Sequence, residues 1–126
     1  MTATTSTVTW FEIYVDELER ARSFYEAVFH CTLIPEKTDG SYEAYRFPDG
    51  MPGNGATGCL MKHPMRKPSQ EGTLVYFHCV DCEILSVRVQ NNGGQVFKAK
   101  WSIGKDGYIA IIGDTEGNAI SLHSFN

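Results

Sequence analysis

The chain has 126 residues, 42% of them hydrophobic and 21% charged. That length and balance suit a single globular domain over residues 1–126. A formal net charge of −4 argues against an electrostatic grip on nucleic acid, which needs a basic face, and no apolar run approaches the ~18 residues of a membrane-spanning helix. Residues 1–9 are polar and rich in threonine, unlike a secretory signal. A cytoplasmic location is expected, with Cys31, Cys59, Cys79 and Cys82 as reduced thiols.

Residues 8–15 alternate. Phe11, Ile13 and Val15 take one face and Trp10, Glu12 and Tyr14 the other, which predicts a strand. A helix follows at once. Asp16 stands where an N-cap should be, with Glu19 three residues on as in a capping box. Leu18, Ala21, Tyr25 and Val28 recur at helical spacing to a predicted end near His30. Two strands, 32–36 and 42–47, are expected around a turn at Thr38-Asp39-Gly40. Residues 48–55 are rich in glycine and proline and read as a loop before a strand over 56–62. The polar stretch 63–72, with Pro64 and Pro68, reads as a connector.

The pattern then starts again. A strand over 73–80 leads to Asp81, which can cap a helix containing Ile84, Leu85, Val87 and Val89 and ending at Gly93-Gly94. Strands are predicted over 95–101, 108–112 and 118–125, with a turn at 114–117. The order is strand, helix, three strands, twice over: one module over about 8–62, a second over about 73–125. Short identities recur at offsets of 64 or 65 residues. Val15-Asp16 returns as Val80-Asp81, Asp49 as Asp114 and Gly53-Asn54 as Gly117-Asn118, each at the same place in its module. A repeated unit explains this better than chance.

The segment Phe11-Glu-Ile-Tyr-Val-Asp-Glu-Leu-Glu-Arg-Ala-Arg-Ser-Phe-Tyr25, followed by Phe29, resembles the opening strand and helix of the vicinal oxygen chelate superfamily, the glyoxalase/bleomycin-resistance/dioxygenase family. Gly107-Tyr-Ile-Ala-Ile-Ile-Gly-Asp-Thr-Glu-Gly-Asn118, followed by Ile120-Ser-Leu122, is similar to its last two strands. The resemblance implies an α+β fold of two βαβββ modules whose curved sheets form a cleft. It also implies a homodimer, which would cover exposed strand edges. Metalloenzymes of that family hold a divalent ion on four strand positions, which fall here on Trp10, on the stretch 58–61, on Val75 and on Ser121. These supply no set of acids and histidines, so no metal and no cofactor is expected and glyoxalase activity does not carry over.

What the cleft could still use is a short set of side chains. Glu12 shares a face with Trp10 and Tyr14; it could bind a ligand or act as a base, or it could pair internally with a cation or with backbone amides. Ser121 and His123 share a face of the last strand, with His123 a candidate hydrogen-bonding or acid group or a solvated one. Alternation assigns Val75 and Phe77 to the cleft and His78 to the helix side with Tyr76 and Val80. Trp10, Tyr14, Phe77 and Trp101 could form an aromatic wall or fill a collapsed pocket. Lys98 and Lys100 read as solvated, or as partners for an acidic ligand. Cys79 and Cys82 form a CxxC without the second ligand pair of a structural zinc site. The expected function is binding of a small organic molecule in a metal-free cleft, with turnover open. The alternatives are a lyase or isomerase related to lactoylglutathione lyase, with Glu12 as base and His123 as acid, and a regulatory or partner-binding module.

Overall fold

A computed structural model describes residues 7–49 and 56–126. The first module runs β1 (Trp10–Tyr14), α1 (Leu18–Phe29), β2 (Ile34–Pro35), β3 (Glu43–Arg46) and β4 (Thr57–Lys62). The second repeats it as β5 (Tyr76–His78), α2 (Cys82–Asn91), β6 (Gln95–Ser102), β7 (Tyr108–Gly113) and β8 (Ala119–Ser124). Each module forms a four-stranded sheet, in the orders β1-β4-β3-β2 and β5-β8-β7-β6. β1 lies parallel to β4 and β5 parallel to β8; the other pairings are antiparallel. The expected α+β architecture of two βαβββ modules is thus present. The recurrence of Gly53-Asn54 and most of the glycine-rich loop lie outside the described residues. A 3-10 turn at Gly104–Asp106, not anticipated, joins β6 to β7. Among the described residues no helix is long and apolar enough to cross a membrane.

Alternation in β1 does what its sequence requires. Ile13 and then Val15 are buried, while Trp10 and Glu12 stay exposed. The helices bury the faces set by their spacing: Ala21, Phe24, Tyr25 and Val28 on α1, and Cys82, Leu85, Ser86 and Val89 on α2. The two helices touch, and one core draws on both modules. At its centre Phe77 packs on Phe29 at 4.7 Å, Phe47 at 5.5 Å and Phe11 at 5.7 Å between ring centres. Each fully buried side chain of this size contributes roughly 1.5–3 kcal/mol of transfer free energy, so the halves share their main stabilising surface.

This core corrects the expected faces of β5. Phe77 and Cys79 are buried in it and Val75 packs against it, whereas Tyr76 and Val80 are exposed and His78 is half-buried. The register explains the inversion. Phe77 lies opposite Leu122, a core residue of β8, so Tyr76 and His78 take the outer face with Ser121 and His123.

The start of α1 also differs from expectation. Its N-cap residue is Glu17, with no capping side chain of its own, and neither Asp16 nor Glu19 forms the capping box. Glu116, from the turn before β8, supplies the cap. Its Oε1 accepts the amides of Asp16 at 3.1 Å and Glu17 at 2.8 Å, and Arg20 donates to both of its oxygens at 2.7 and 3.0 Å. A buried carboxylate answers several needs at once: the open amides of a helix start, the positive end of the helix dipole and an arginine. Asp114 anchors the same turn. It accepts the Tyr25 hydroxyl at 2.7 Å, the Asn118 side-chain amide at 2.9 Å and the backbone amides of Glu116 and Asn118 at 2.8 and 3.0 Å. Gly117, at φ 94°, makes the turn. The second helix follows its sequence reading: Asp81 caps it through the Glu83 amide at 2.9 Å.

Candidate functional site

The outer face of β1 carries Trp10, Glu12 and Tyr14 in a row. The indole Nε1 donates to Glu12 Oε2 at 3.3 Å and the Tyr14 hydroxyl donates to Oε1 at 2.7 Å. Strand spacing brings i and i+2 side chains to the same face, and here it fixes one carboxylate between two aromatic groups. Burial, the hydrogen bond to Glu12 and its negative charge push the Tyr14 phenol up to about 12. The Arg66 guanidinium, 5.7 Å from the ring centre, pulls the other way. Beside this row, on the same face, Cys59 pairs in register with Glu12 and is buried with Ala44 and Met61. Burial, then the nearby Glu12 charge, push its thiol up to about 12.

This face opens on a cleft of about 690 Å³. β1 forms one wall with Trp10, Glu12 and Tyr14; the connector adds Lys67, Ser69 and Glu71; Val75, Tyr76 and Asn118 close the far side. Asn118 ties the walls together. Its side-chain amide donates to the Tyr14 carbonyl at 2.8 Å and its Oδ1 accepts the Ser69 amide at 2.9 Å. Tyr76, Asn118, Lys67 and Glu71 were not singled out in the sequence. The polar connector carries only a linker signal, and the expected parity puts Tyr76 on the opposite face.

The remaining candidates lie elsewhere. Phe77 is in the core. Ser121 is fully buried and its hydroxyl donates to the Ala110 carbonyl at 2.9 Å. Trp101 pairs with Ile109 on β7 and has the Lys98 ammonium 4.3 Å from its ring centre. His123 sits beside His78 with its Nε2 2.6 Å from the Asp106 carbonyl. Trp101, Ser121 and His123 do not line the cleft that holds Glu12. Lys100 is engaged rather than simply solvated, at 2.9 Å from Asp81. Cys79 and Cys82 are buried free thiols.

A family model of the Glyoxalase/Bleomycin resistance protein/Dioxygenase superfamily matches residues 7–122. The chain belongs to that superfamily. Solved structures of the same fold include a glyoxalase-related enzyme from Fulvimarina pelagi, at 14% identity and TM-score 0.68, covering 95% of this chain and 88% of that one. A glyoxalase/bleomycin resistance protein from Albidiferax ferrireducens is similar at 20% identity and TM-score 0.69, covering 93% and 97%. A glyoxalase I variant from Zea mays matches at 17% identity and TM-score 0.69, covering 93% of this chain but 46% of the maize chain. No curated protein matches at the sequence level.

The metal that this superfamily implies does not fit the side chains at its four positions. The Trp10 indole nitrogen is a donor only and already serves Glu12. The Ser121 hydroxyl is buried against a carbonyl. Over residues 58–61 β4 offers the Cys59 thiol, pushed away from the thiolate form, and the Met61 thioether, a soft donor rather than the carboxylate or imidazole that such an ion takes. Val75 has no donor atom in its side chain.

Proposed function

We propose that this superfamily member binds a small organic molecule in the cleft along β1. The observation that carries the reading is the Glu12 carboxylate, held by Trp10 and Tyr14 and facing a cleft whose volume lies within the roughly 300–1,000 Å³ of small-molecule sites. Each Glu12 oxygen accepts one bond from its neighbours and keeps a second lone pair for a ligand N–H or O–H. Trp10 and Tyr76 offer exposed ring surface on either wall, which suits the apolar part of such a molecule. Binding is favoured over lyase or isomerase chemistry because the acid expected to work with Glu12, His123, is not among the lining residues.

The experiment is a ligand screen by native mass spectrometry and thermal shift, followed by Glu12→Gln. That change keeps the shape of the side chain and removes its charge. Affinity for a ligand found in the screen should fall by about tenfold or more, the loss of one charge-assisted hydrogen bond. Equal affinity in wild type and variant would refute the role of Glu12, and a screen without any ligand would sink the reading itself.

We also propose that the working form is a symmetric dimer. The second module exposes Val80 and Phe97, apolar side chains that a partner subunit can cover. β1, β2, β5 and β6 are also sheet edges. Light scattering at micromolar concentration should give twice the chain mass; a monomer would overturn it.

A further inference from the structure

We propose that His78 and His123 form a two-histidine site for a divalent transition-metal ion on the outer face of the second sheet, apart from the cleft and from the superfamily's metal positions. β5 and β8 run parallel with His78 opposite His123. Directly opposed residues project to the same face, and their rings lie 5.8 Å apart centre to centre, tilted by 49°.

The hydrogen bonding decides which nitrogen is available. His123 Nε2 lies 2.6 Å from the Asp106 carbonyl oxygen. A carbonyl only accepts, so the proton is on Nε2 and the lone pair is on Nδ1. That is the usual state of a metal-ligating histidine: one ring N–H held by a backbone carbonyl, the other nitrogen oriented and free to coordinate. The His78 ring meets His123 and, at 5.8 Å, Phe125, with no hydrogen-bond partner for its nitrogens among the described residues. Phe125 also packs on His123 at 4.8 Å, edge to face. Both histidines are half-buried, restrained by neighbours yet reachable from solvent.

The spacing fits one ion between the rings. A zinc–nitrogen bond of about 2.0–2.1 Å plus a ring radius of roughly 1.1 Å puts two imidazole centres about 5.2 Å apart around a tetrahedral ion. The present 5.8 Å lies about 0.6 Å from that separation. Imidazole nitrogen selects borderline ions such as Zn(II), Ni(II) and Cu(II) over Mg(II) or Ca(II), which seek oxygen. Water or an external ligand would complete the coordination.

Calorimetric titration of the full chain with Zn(II) tests this. Wild type should bind one ion per chain, and His78→Ala and His123→Ala should each bind about tenfold or more weakly, the scale on which a lost coordination partner is felt. A double Cys79→Ser, Cys82→Ser variant should bind as wild type does. Unchanged binding in both histidine variants, loss in the cysteine variant alone, or no binding by wild type would each overturn the site. Nitrogen NMR of the imidazoles in wild type gives an answer that needs no variant. Zn(II) should move the His78 and His123 signals, and shifts confined to His30 and His63 would refute the assignment.

Discussion

Glu116→Ala removes a side chain with no solvent exposure that accepts five hydrogen bonds. They come from the Asp16 and Glu17 amides, two Arg20 nitrogens and the Thr115 hydroxyl. Arg20 is 53% exposed and can return to water, so its lost bonds cost little. The two amides at the start of α1 stay behind. A lost helix cap costs about 1 kcal/mol and each orphaned, poorly hydrated amide about 1–3 kcal/mol. The terms overlap and come to about 3 kcal/mol in all. At ~2.1 cal/mol/K of unfolding entropy per residue over 126 residues, each kcal/mol moves Tm by about 4 °C, so Tm should fall by about 12 °C. Glu116→Gln keeps one carbonyl for the amides and should lose about half as much. Burial pushes the Glu116 carboxyl up, but the bonds from Arg20, the Glu17 amide and Thr115 outweigh it and hold it below the usual carboxylate value. Its contribution is therefore complete above the unfolded value of about 4.3 and is lost as pH falls through the lower folded value. Calorimetric scans at several pH values should show the gap between wild type and Glu116→Gln closing below about pH 4. A Glu116→Ala variant within about 4 °C of wild type at neutral pH would refute the reasoning, because water would then have taken over the amides.

Tyr14 should titrate near 12 by ring-carbon NMR and move back toward its ordinary value in Glu12→Gln. The neutral phenol's contribution to stability is whole below the unfolded value of about 10 and is lost as pH rises through about 12. A Tyr14 signal unmoved by that substitution would disprove the coupling. Gly94→Ala places a methyl 2.5 Å from the Gly113 carbonyl and 2.7 Å from Phe24 and Val89. Backbone and core cannot both yield, so chemical denaturation should show a loss of about 1–3 kcal/mol; an unchanged midpoint would mean that the β6–β7 hairpin shifts freely.

Local periodicity made most elements legible, because burial on one face of β1 or α1 is written into residues two or three to four apart. Capping by Asp81 was legible for the same reason: donor and acceptor are two residues apart. The Glu116 cap was not, since its partners lie 99 and 100 residues away in sequence. The faces of β5 could not be told from alternation, as Val75, Phe77 and Cys79 compete with Tyr76, His78 and Val80, both sets mostly apolar. Only pairing with β8 and the aromatic core decides between them. In the site, Trp10, Glu12 and Tyr14 were readable from one strand, whereas Lys67, Glu71 and Asn118 reach the cleft through tertiary folding. The ladder of β6 shifts register at Val96/Lys98 and Lys98/Trp101, so parity could not place Trp101 either.

The cap that Glu116 provides also runs against the direction of protein synthesis. α1 is made before the turn that caps it: the carboxylate that completes its start follows about 100 residues later, a delay of about 5–20 s at ribosomal rates of ~5–20 residues per second. The Tyr25 hydroxyl waits as long for Asp114, and Phe11 and Phe29 wait for Phe77. The nascent first module therefore spends that interval with the α1 amides open, and the first part of it with Phe11 and Phe29 short of a packing partner. The helix of the first module is finished only as the second module is completed.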